Sequence, residues 1–331
     1  MFGRVFIKLI NLLGHRWPMV IYVTRRILYA VPILLGVILL TFLLFRVVNK
    51  PEYAALHALG PKSSEKARAT WIHEHGRDRP LAVQFIHHVK RMATFDFEPS
   101  DQTKRSMGET FSNGIGPSLC ITLPGFIAGL IAALTLSLYQ VFARNSAADR
   151  NLTILCVIMM SVPTVLYIIF GQAVLALGLS WFPVSGFQWG LPGMLRFLIL
   201  PVSIMVIINL GYDGRMFRAV FLEEIAQDYV RTAHAKGLPV SAVLGKHVLK
   251  NGLIALITLT VGQLPKLILG TLLIESFFGI PGIGNVMVQA IQTADEPVVL
   301  ATAYLGALLY LAALTLTDIL YAAADPRIRI S

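Results

Sequence analysis

The chain has 331 residues, of which 56% are hydrophobic and only 14% are charged, and its mean hydropathy is +0.69. Soluble globular domains carry about 25% charged residues, so this composition excludes an ordinary soluble domain and places the chain in a membrane. The formal net charge is +10. Because the cations gather in particular short loops, this charge reflects membrane topology rather than nucleic-acid binding.

Six apolar stretches are long enough to cross a membrane, since a spanning helix needs about 20 mainly apolar residues. The fourth is the least distinct, because Arg196 and Asp213 lie close on either side of it. Cys120 and Cys156 fall in or beside these stretches and are interpreted as small apolar residues, with no disulfide predicted. The predicted spans are 27–47, 121–141, 152–177, 194–212, 252–274 and 298–324.

The positions of Lys and Arg predict that both termini face the cytoplasm, because short loops rich in these cations stay on the inner side. The outer loops at 178–195 and 275–297 contain neither Lys nor Arg, whereas the inner loop at 213–251 holds six. The result is an all-α, multi-pass membrane protein. Its predicted organisation is an amphipathic segment at 1–26, a first span at 27–48, an outer helical segment at 49–116, a core with five further spans at 117–324 and an inner tail at 325–331.

The outer segment is too polar to cross the membrane and is predicted to hold two amphipathic helices, "EKARATWIHEHG" and "LAVQFIHHVKRM". Its histidines have spacings that suit nickel or zinc. They lie near turns and polar helix faces, where solvated histidines are common, so no metal site is assigned. The histidines in question are His73, His75, His87 and His88.

The inner loop contains a compact polar module, "DYVRTAHAKGLPVSAVLGKH", between two apolar runs. Asp228 is expected to cap a helix that begins at Tyr229, and Gly237 is expected to close it in a left-handed conformation. A second helix is predicted to start near Ser241 and continue toward the fifth span. A two-turn helix is too short to be stable alone, so the module is either completed by docking into another protein or is an ordinary solvated loop.

Several motifs, in order along nearly the whole chain, resemble the permease subunits of binding-protein-dependent ABC importers, in the first (B-type) form of the dipeptide and oligopeptide subfamily. The polar module is similar to their inner loop, "GRDRPLAVQF" to their outer signature "GLDRPL.VQY", and "ESFFGIPGIGN" to their "E..F..PG.G" stretch. "FPVSG" and "DPRIR" also match. The resemblance implies the type I ABC importer permease fold and a transport path for di- or oligopeptides.

The resemblance also implies partners. These are a second, homologous permease subunit, two ATP-binding subunits in the cytoplasm and a periplasmic or lipoprotein substrate-binding protein. The polar module then corresponds to the coupling helix, which sits in a groove on one ATPase. The residues assigned to it are Asp228, Tyr229, Val230, Arg231, Thr232, Ala233, His234, Ala235, Lys236 and Gly237.

Some positions depart from the family pattern. The broader importer signature begins Glu-Ala-Ala, where this chain has Arg231, Thr232 and Ala233. His234 stands where the subfamily often has Arg, so no ion pair is assigned to it. The familiar "PGDP" after the first span is missing, which leaves the shape of that region open.

Polar groups within the predicted spans are candidates for the translocation path, because burying them in a membrane is costly. Lys266 and Gln263 are the most prominent, and Lys266 either faces the path, pairs with Asp318 or is satisfied elsewhere. The "PGIG" stretch, with Pro281, Gly282 and Gly284, either forms part of an external gate or is an ordinary turn.

No catalytic residues are predicted. A phosphate-binding loop requires Gly-x-x-x-x-Gly-Lys-Ser/Thr, and the nearest stretch, Gly245 and Lys246, is followed by His247. The chain is therefore expected to bind no cofactor itself, with ATP and Mg²⁺ held by the partner ATPases. The alternatives are import of nickel or another small solute, a secondary transporter driven by an ion gradient, and an intramembrane enzyme.

Overall fold

The computed structural model describes residues 18–263 and 271–324, and the regular structure within these ranges is helical. The chain forms two compact units. The flanking unit comprises the described residues up to Ser112 and from Val286 onward, and the central unit comprises Asn113–Asn285. In chain order the helices are α1 Pro18–Phe42, α2 Pro51–Leu59, α3 Glu65–Glu74, α4 Leu81–Thr94, α5 Met107–Phe142, α6 Ala147–Ser161, α7 Thr164–Gly171, α8 Leu191–Ile225, α9 Asp228–Ala235, α10 Leu249–Val261, α11 Leu272–Phe277, α12 Ile283–Gln292 and α13 Glu296–Ala324.

Four of the described helical segments are each long and apolar enough to cross a membrane: Leu28–Val48, Met107–Phe142, Leu191–Ile225 and Glu296–Thr317. Two bent helix pairs complete six spans if each pair counts as one. The four single segments overlap the predicted first, second, fourth and sixth spans, although the second begins at Met107 rather than at 121 and the fourth ends at Ile225 rather than at 212. The predicted fifth span runs across residues 264–270, which lie outside the described ranges.

The third span differs from the prediction because it is broken. Helices α6 and α7 meet at an angle of 95°, and the break lies at Val162 and Pro163. The ring of a proline disfavours helical geometry in the residue before it. Val162 accordingly has φ −86° and ψ 124°, which is extended backbone. The uninterrupted helix expected over 152–177 was therefore wrong.

The region expected to be an inner loop begins as helix. Helix α8 continues from the fourth span to Ile225 before the chain turns into α9. Phe217 and Phe221 lie one turn apart and are fully buried, so the apolar stripe of the helix extends past Asp213. The helical run predicted from Ser241 toward the fifth span is present, since Val240–Ala242 and a π-helical turn, Val243–Val248, lead directly into α10.

In the flanking unit, the segment between the first two spans, residues 49–106, packs against the ends of α1 and α13. We call this segment the insertion. Phe42 meets Phe85 edge to face at 5.1 Å, and Ile38, Met92 and Tyr304 are buried in the same cluster. On the predicted amphipathic helix α4, Phe85 and Val89 pack into this cluster, whereas Leu81 is exposed.

A buried ion cluster also ties the insertion to both spans. Arg77 donates from Nη1 to the carbonyl of Phe45 at 3.0 Å and from Nη2 to the carboxylate of Glu296. Arg46 lies 3.5 Å from the same carboxylate and donates to the carbonyl of His75. The Glu296 carboxylate thus pairs with the guanidinium groups of both Arg77 and Arg46 in a site with little access to water.

His88 provides a pH-sensitive contact in this unit. Its side chain is buried and its Nε2 lies 3.4 Å from Thr41 Oγ1. Burial, with the nearby positive charges of Arg46 and Arg91, lowers the pKa of His88 to about 4, from an ordinary 6.5. As the pH falls, His88 is therefore protonated in the unfolded chain before it is protonated in the folded protein. The contribution of the neutral ring to stability is complete above about pH 6.5 and is lost toward pH 4.

We expect the thermal unfolding midpoint of the purified protein to fall as the pH is lowered from 7 to 5, and to fall less in His88→Gln. His87 is the matched control, because it is the neighbouring residue but is exposed. His87→Gln should retain the wild-type pH dependence. An unchanged pH dependence in His88→Gln would contradict the assignment.

Candidate functional site

Helix α9 buries one face against its own chain. Val230 is 2% exposed and Ala233 is 4% exposed, and both lie in one core cluster with Phe217, Phe221 and Val248. The hydroxyl of Tyr229 donates to Glu224 Oε1 at 2.6 Å, and burial together with this carboxylate raises the pKa of Tyr229. The helix is thereby fixed to the end of α8 and to the start of the next helical run.

The opposite side of α9 is exposed. We call it the exposed face of α9, and it consists of Arg231, Thr232, Ala235 and Lys236, followed by the exposed apolar residues Leu238 and Val240. This face therefore combines the small side chain of Ala235 with the positive charges of Arg231 and Lys236 and the apolar side chains of Leu238 and Val240. The side chain of His234 lies outside the described residues.

The C-terminal end of α9 agrees with the sequence prediction. Gly237 has φ +77°, and the N–H of Leu238 donates to the carbonyl of Ala233 at 3.4 Å, which is the Schellman arrangement. The prediction that Asp228 caps the N-terminal end of α9 was wrong. Asp228 lies within the helix, and its exposed carboxylate accepts from Arg231 at 3.5 Å rather than from a backbone N–H.

The "PGIG" turn is held by a buried carboxylate that the sequence analysis did not single out. Glu275 is fully buried and accepts hydrogen bonds from the backbone N–H groups of Thr271 at 3.0 Å, Gly284 at 2.8 Å and Asn285 at 3.3 Å. Ser118 Oγ accepts from the N–H of Ile283 at 2.9 Å. These acceptors satisfy the free N–H groups at the start of α12. A glutamate a few residues before a glycine-rich helix start was the available signal.

The glycines of this turn are required by close packing. A Cβ atom at Gly284 would lie 2.9 Å from both Glu275 Oε2 and the Cα of Leu272, and one at Gly282 would collide with Glu275 and Ser118. Pro281 is exposed at the tip. The turn is thus a packed structure built around Glu275, whichever function it serves.

We expect Glu275→Gln to destabilise the protein by about 2 to 3 kcal/mol, because hydrogen bonds to a charged acceptor are replaced and the new amide N–H₂ opposes backbone donors. Thermal unfolding measured in detergent would detect this loss. Glu52→Gln is the control, since Glu52 is exposed and such surface changes stay within about 0.5 kcal/mol. Equal midpoints for the two variants would show that the carboxylate does not hold the turn.

A cavity of about 370 Å³ lies in the central unit and contains one of the predicted path residues, Gln263. The amide Nε2 of Gln263 donates to Asp213 Oδ1 at 2.9 Å. Lys266, the other predicted path residue, lies outside the described residues, as does the side chain of Asp318. The described lining residues are Phe126, Thr164, Met205, Ile208, Asn209, Gln263, Thr271, Leu272, Leu273 and Ile274.

The outer histidines do not share one arrangement. His75, His87 and His88 line a cavity of about 250 Å³ together with arginines, whereas His73 Nδ1 lies 2.7 Å from Asp78 Oδ2. Within residues 18–263 and 271–324, no group of three or more His, Cys, Asp or Glu side chains is placed to hold a metal ion. The geometry therefore gives no observation in favour of metal binding at these histidines.

Comparison with known proteins adds the family. Residues 125–330 match the family described as binding-protein-dependent transport system inner membrane component, and residues 19–115 match its N-terminal counterpart. The fold is similar to that of the inward-facing MetNI methionine ABC transporter, with a TM-score of 0.52 and 14% identity, over 66% of this chain and 98% of that chain.

Curated relatives match along almost their entire length. A putative peptide transport system permease protein of Brucella abortus (strain 2308) is 32% identical over 93% of this chain and 98% of its own. The oligopeptide transport system permease protein AppB of Bacillus subtilis (strain 168) is 29% identical over 94% and 99%, respectively. The glutathione transport system permease protein GsiC of Salmonella choleraesuis is 29% identical over 93% and 98%, respectively.

The spans define a multi-pass membrane protein, and its fold is similar to that of an ABC transporter. The chain belongs to the family of binding-protein-dependent transport system inner membrane components. It is a transport permease of the inner membrane.

Proposed function

We propose that this permease carries di- or oligopeptides, delivered by a substrate-binding protein and moved by ATP hydrolysis in separate subunits. The observation that carries the proposal is the full-length similarity to relatives whose names specify peptide, oligopeptide and glutathione transport. The complex we propose contains a second homologous permease subunit and two ATPases, which hold the ATP and Mg²⁺. Both termini and the inner loop 213–251 face the cytoplasm, and the insertion faces outward.

The exposed face of α9 is the proposed contact with one ATPase. Its inner face is buried against α8 and the following helical run, so a displacement of α9 would be transmitted to the spans rather than absorbed locally. The exposed Ala235 and Leu238 offer an apolar contact, and Arg231 and Lys236 add charge. The ATPase can shift the permease between conformations only if it contacts them with different free energies. A small, rigid docking helix supports such a difference.

The turn built around Glu275, with Pro281, Gly282 and Gly284, is proposed as part of an external gate, and Gln263 and Lys266 as part of the path. Irregular backbone at membrane depth is tolerated where it is buried in protein or lines a cavity. The dense hydrogen bonding of the Glu275 carboxylate supports a gate element that moves as one body.

The complete complex reconstituted in liposomes tests the function. We expect ATP-dependent uptake of a radiolabelled di- or tripeptide that requires the binding protein, and no uptake when the ATPases are omitted. Uptake without ATPases, driven by an ion gradient, would contradict the proposal. ATP-dependent uptake of nickel or another small solute, with no uptake of peptides, would retain the permease assignment and overturn the peptide cargo.

A further inference from the structure

Another cavity of the central unit, with a volume of about 240 Å³, lies between helices α6 and α8. We call it the arginine cavity. Two glycines bring the helices together beside it. A Cβ atom at Gly211 would lie 3.1 Å from the carbonyl oxygen of Cys156, and one at Gly214 would lie 3.8 Å from its sulfur. Small residues allow this close approach between membrane helices. One turn further along α8, the long side chains of Arg215 and Arg218 line the cavity.

Positive charge predominates at the arginine cavity. Arg218 Nε and Nη2 donate to the two carboxylate oxygens of Asp149 at 2.9 and 2.8 Å, so this cation has an acidic partner. Arg215 is exposed, and no ion pair or side-chain hydrogen bond joins it to another residue that the structure describes. None of the described lining residues is acidic. The next carboxylate along α8, that of Glu223, lies two turns beyond Arg215 and is not part of the lining.

The donors that remain for a ligand belong to the two arginines. The hydroxyl of Thr153 donates to the Asp149 carbonyl at 2.8 Å and accepts from Gln140 Nε2 at 3.3 Å. Gln140 Oε1 is inaccessible to solvent and does not face the cavity. By contrast, all the N–H groups of Arg215 and the Nη1 group of Arg218 are free of described partners. A guanidinium group binds phosphate oxygens with strong, charge-assisted hydrogen bonds, so the cavity suits a phosphate.

An exposed apolar surface adjoins the arginine cavity on the side of the membrane interior. Tyr212 precedes Arg215 by three residues, so both lie on one face of α8, and Tyr212 is exposed. Met160 is also exposed, and its Cγ lies 3.3 Å from the position of a Cβ at Gly211. Met160 therefore lies beside the same turn of α8. A phospholipid has the matching combination, because its phosphate is joined to apolar acyl chains.

The position of the cavity along the spans fits the level of the lipid headgroups. Helix α5 ends at Phe142 and α6 begins at Ala147, so Thr153 lies within two turns of the connection between them. Arg215 lies three residues past 212, the predicted end of the fourth span. The proposed topology places this end of the spans at the cytoplasmic leaflet, where anionic lipids give a negative surface potential and basic pockets between helices bind anionic headgroups.

We propose that the arginine cavity binds one anionic phospholipid of the inner leaflet. Arg215 and Nη1 of Arg218 bond to the phosphate oxygens, and an acyl chain lies along Tyr212 and Met160. The site does not depend on the cargo. It assigns to the permease a lipid ligand that holds the inner ends of α6 and α8 together, close to the point where α8 leads into α9.

Native mass spectrometry of the purified complex in detergent tests the site. The probes are phosphatidylglycerol and phosphatidylcholine with the same acyl chains, added at equal concentrations. Both contain a phosphate, but the choline cation of phosphatidylcholine opposes the arginines. The first phosphatidylglycerol molecule should bind at least about fivefold more tightly than phosphatidylcholine, which corresponds to one arginine near an anionic headgroup.

Two variants should reduce this preference to near one. Arg215→Gln removes the unpaired cation. Ala219→Glu places a carboxylate one turn from Arg215, at an exposed residue of the lining, where it repels the phosphate and pairs with Arg215. Arg144→Gln is the matched control, because Arg144 is an exposed cation at the same end of the spans but does not line the cavity, and it should keep the wild-type preference. Ala219→Glu provides an independent result if Arg215→Gln fails to assemble.

Four outcomes would overturn the lipid site. They are an unchanged preference in Arg215→Gln and Ala219→Glu, an equal loss in Arg144→Gln, displacement of the lipid by millimolar inorganic phosphate, and loss of a partner subunit from Arg215→Gln with unchanged lipid preference. The second would indicate general surface charge, the third a site for a free anion and the fourth a contact with another protein.

Discussion

Ala235→Leu is expected to weaken binding of the ATPase to the permease by at least about fivefold and to leave the thermal stability of the permease unchanged. Ala235 lies on the exposed face of α9, so a larger side chain does not disturb the permease core. In a close-packed groove on a partner, added methylene groups cost about 1 to 3 kcal/mol, or roughly 5- to 150-fold in affinity. Titration of purified ATPase onto permease in lipid nanodiscs measures this affinity.

Ala233→Leu is the matched variant, two residues away in the same helix. Ala233 is 4% exposed and packs in the cluster of Phe217 and Phe221, so overpacking should lower the thermal unfolding midpoint of the permease itself. The expected pattern is therefore a loss of partner affinity in one variant and of stability in the other. Wild-type ATPase affinity in Ala235→Leu would show that the partner binds elsewhere.

Local patterns in the sequence were sufficient for much of the helical framework. Apolar length predicted the helices of the first, second, fourth and sixth spans, because a membrane requires one continuous apolar run for each crossing. The left-handed end of α9 at Gly237 was predicted because only glycine adopts that backbone without steric cost. Such features depend on residues close together in the chain.

Other features depend on contacts between distant residues or on details of one backbone position. Arg77 and Glu296 are separated by 219 positions, and no local pattern indicates that they meet. The cavity at Asn209 brings together side chains from α5, α7, α8 and α11, and of its polar residues only Gln263 was predicted to belong to the path. The break of the third span could have been predicted from Val162 and Pro163, but the apolar run outweighed that signal.

Glu296→Gln is expected to destabilise the permease by about 3 to 5 kcal/mol, which is the usual cost of removing one partner from a buried ion pair. Glu296 is 8% exposed and is the acceptor for both Arg77 and Arg46, so its neutralisation leaves two cations in a buried site. Desolvation already lowers the pKa of Arg77, which Glu296 counteracts. Thermal or denaturant unfolding of the purified permease measures the loss.

Arg77→Leu should cost less than Glu296→Gln, although both changes break the same pair. The variant leaves Glu296 with Arg46 as its partner, and it places an apolar side chain in a site that is 5% exposed. A greater loss of stability in Arg77→Leu than in Glu296→Gln would contradict the proposed order. It would show that the bonds of Arg77 to the Phe45 carbonyl and its position 5.6 Å from the Trp71 ring matter more than its charge.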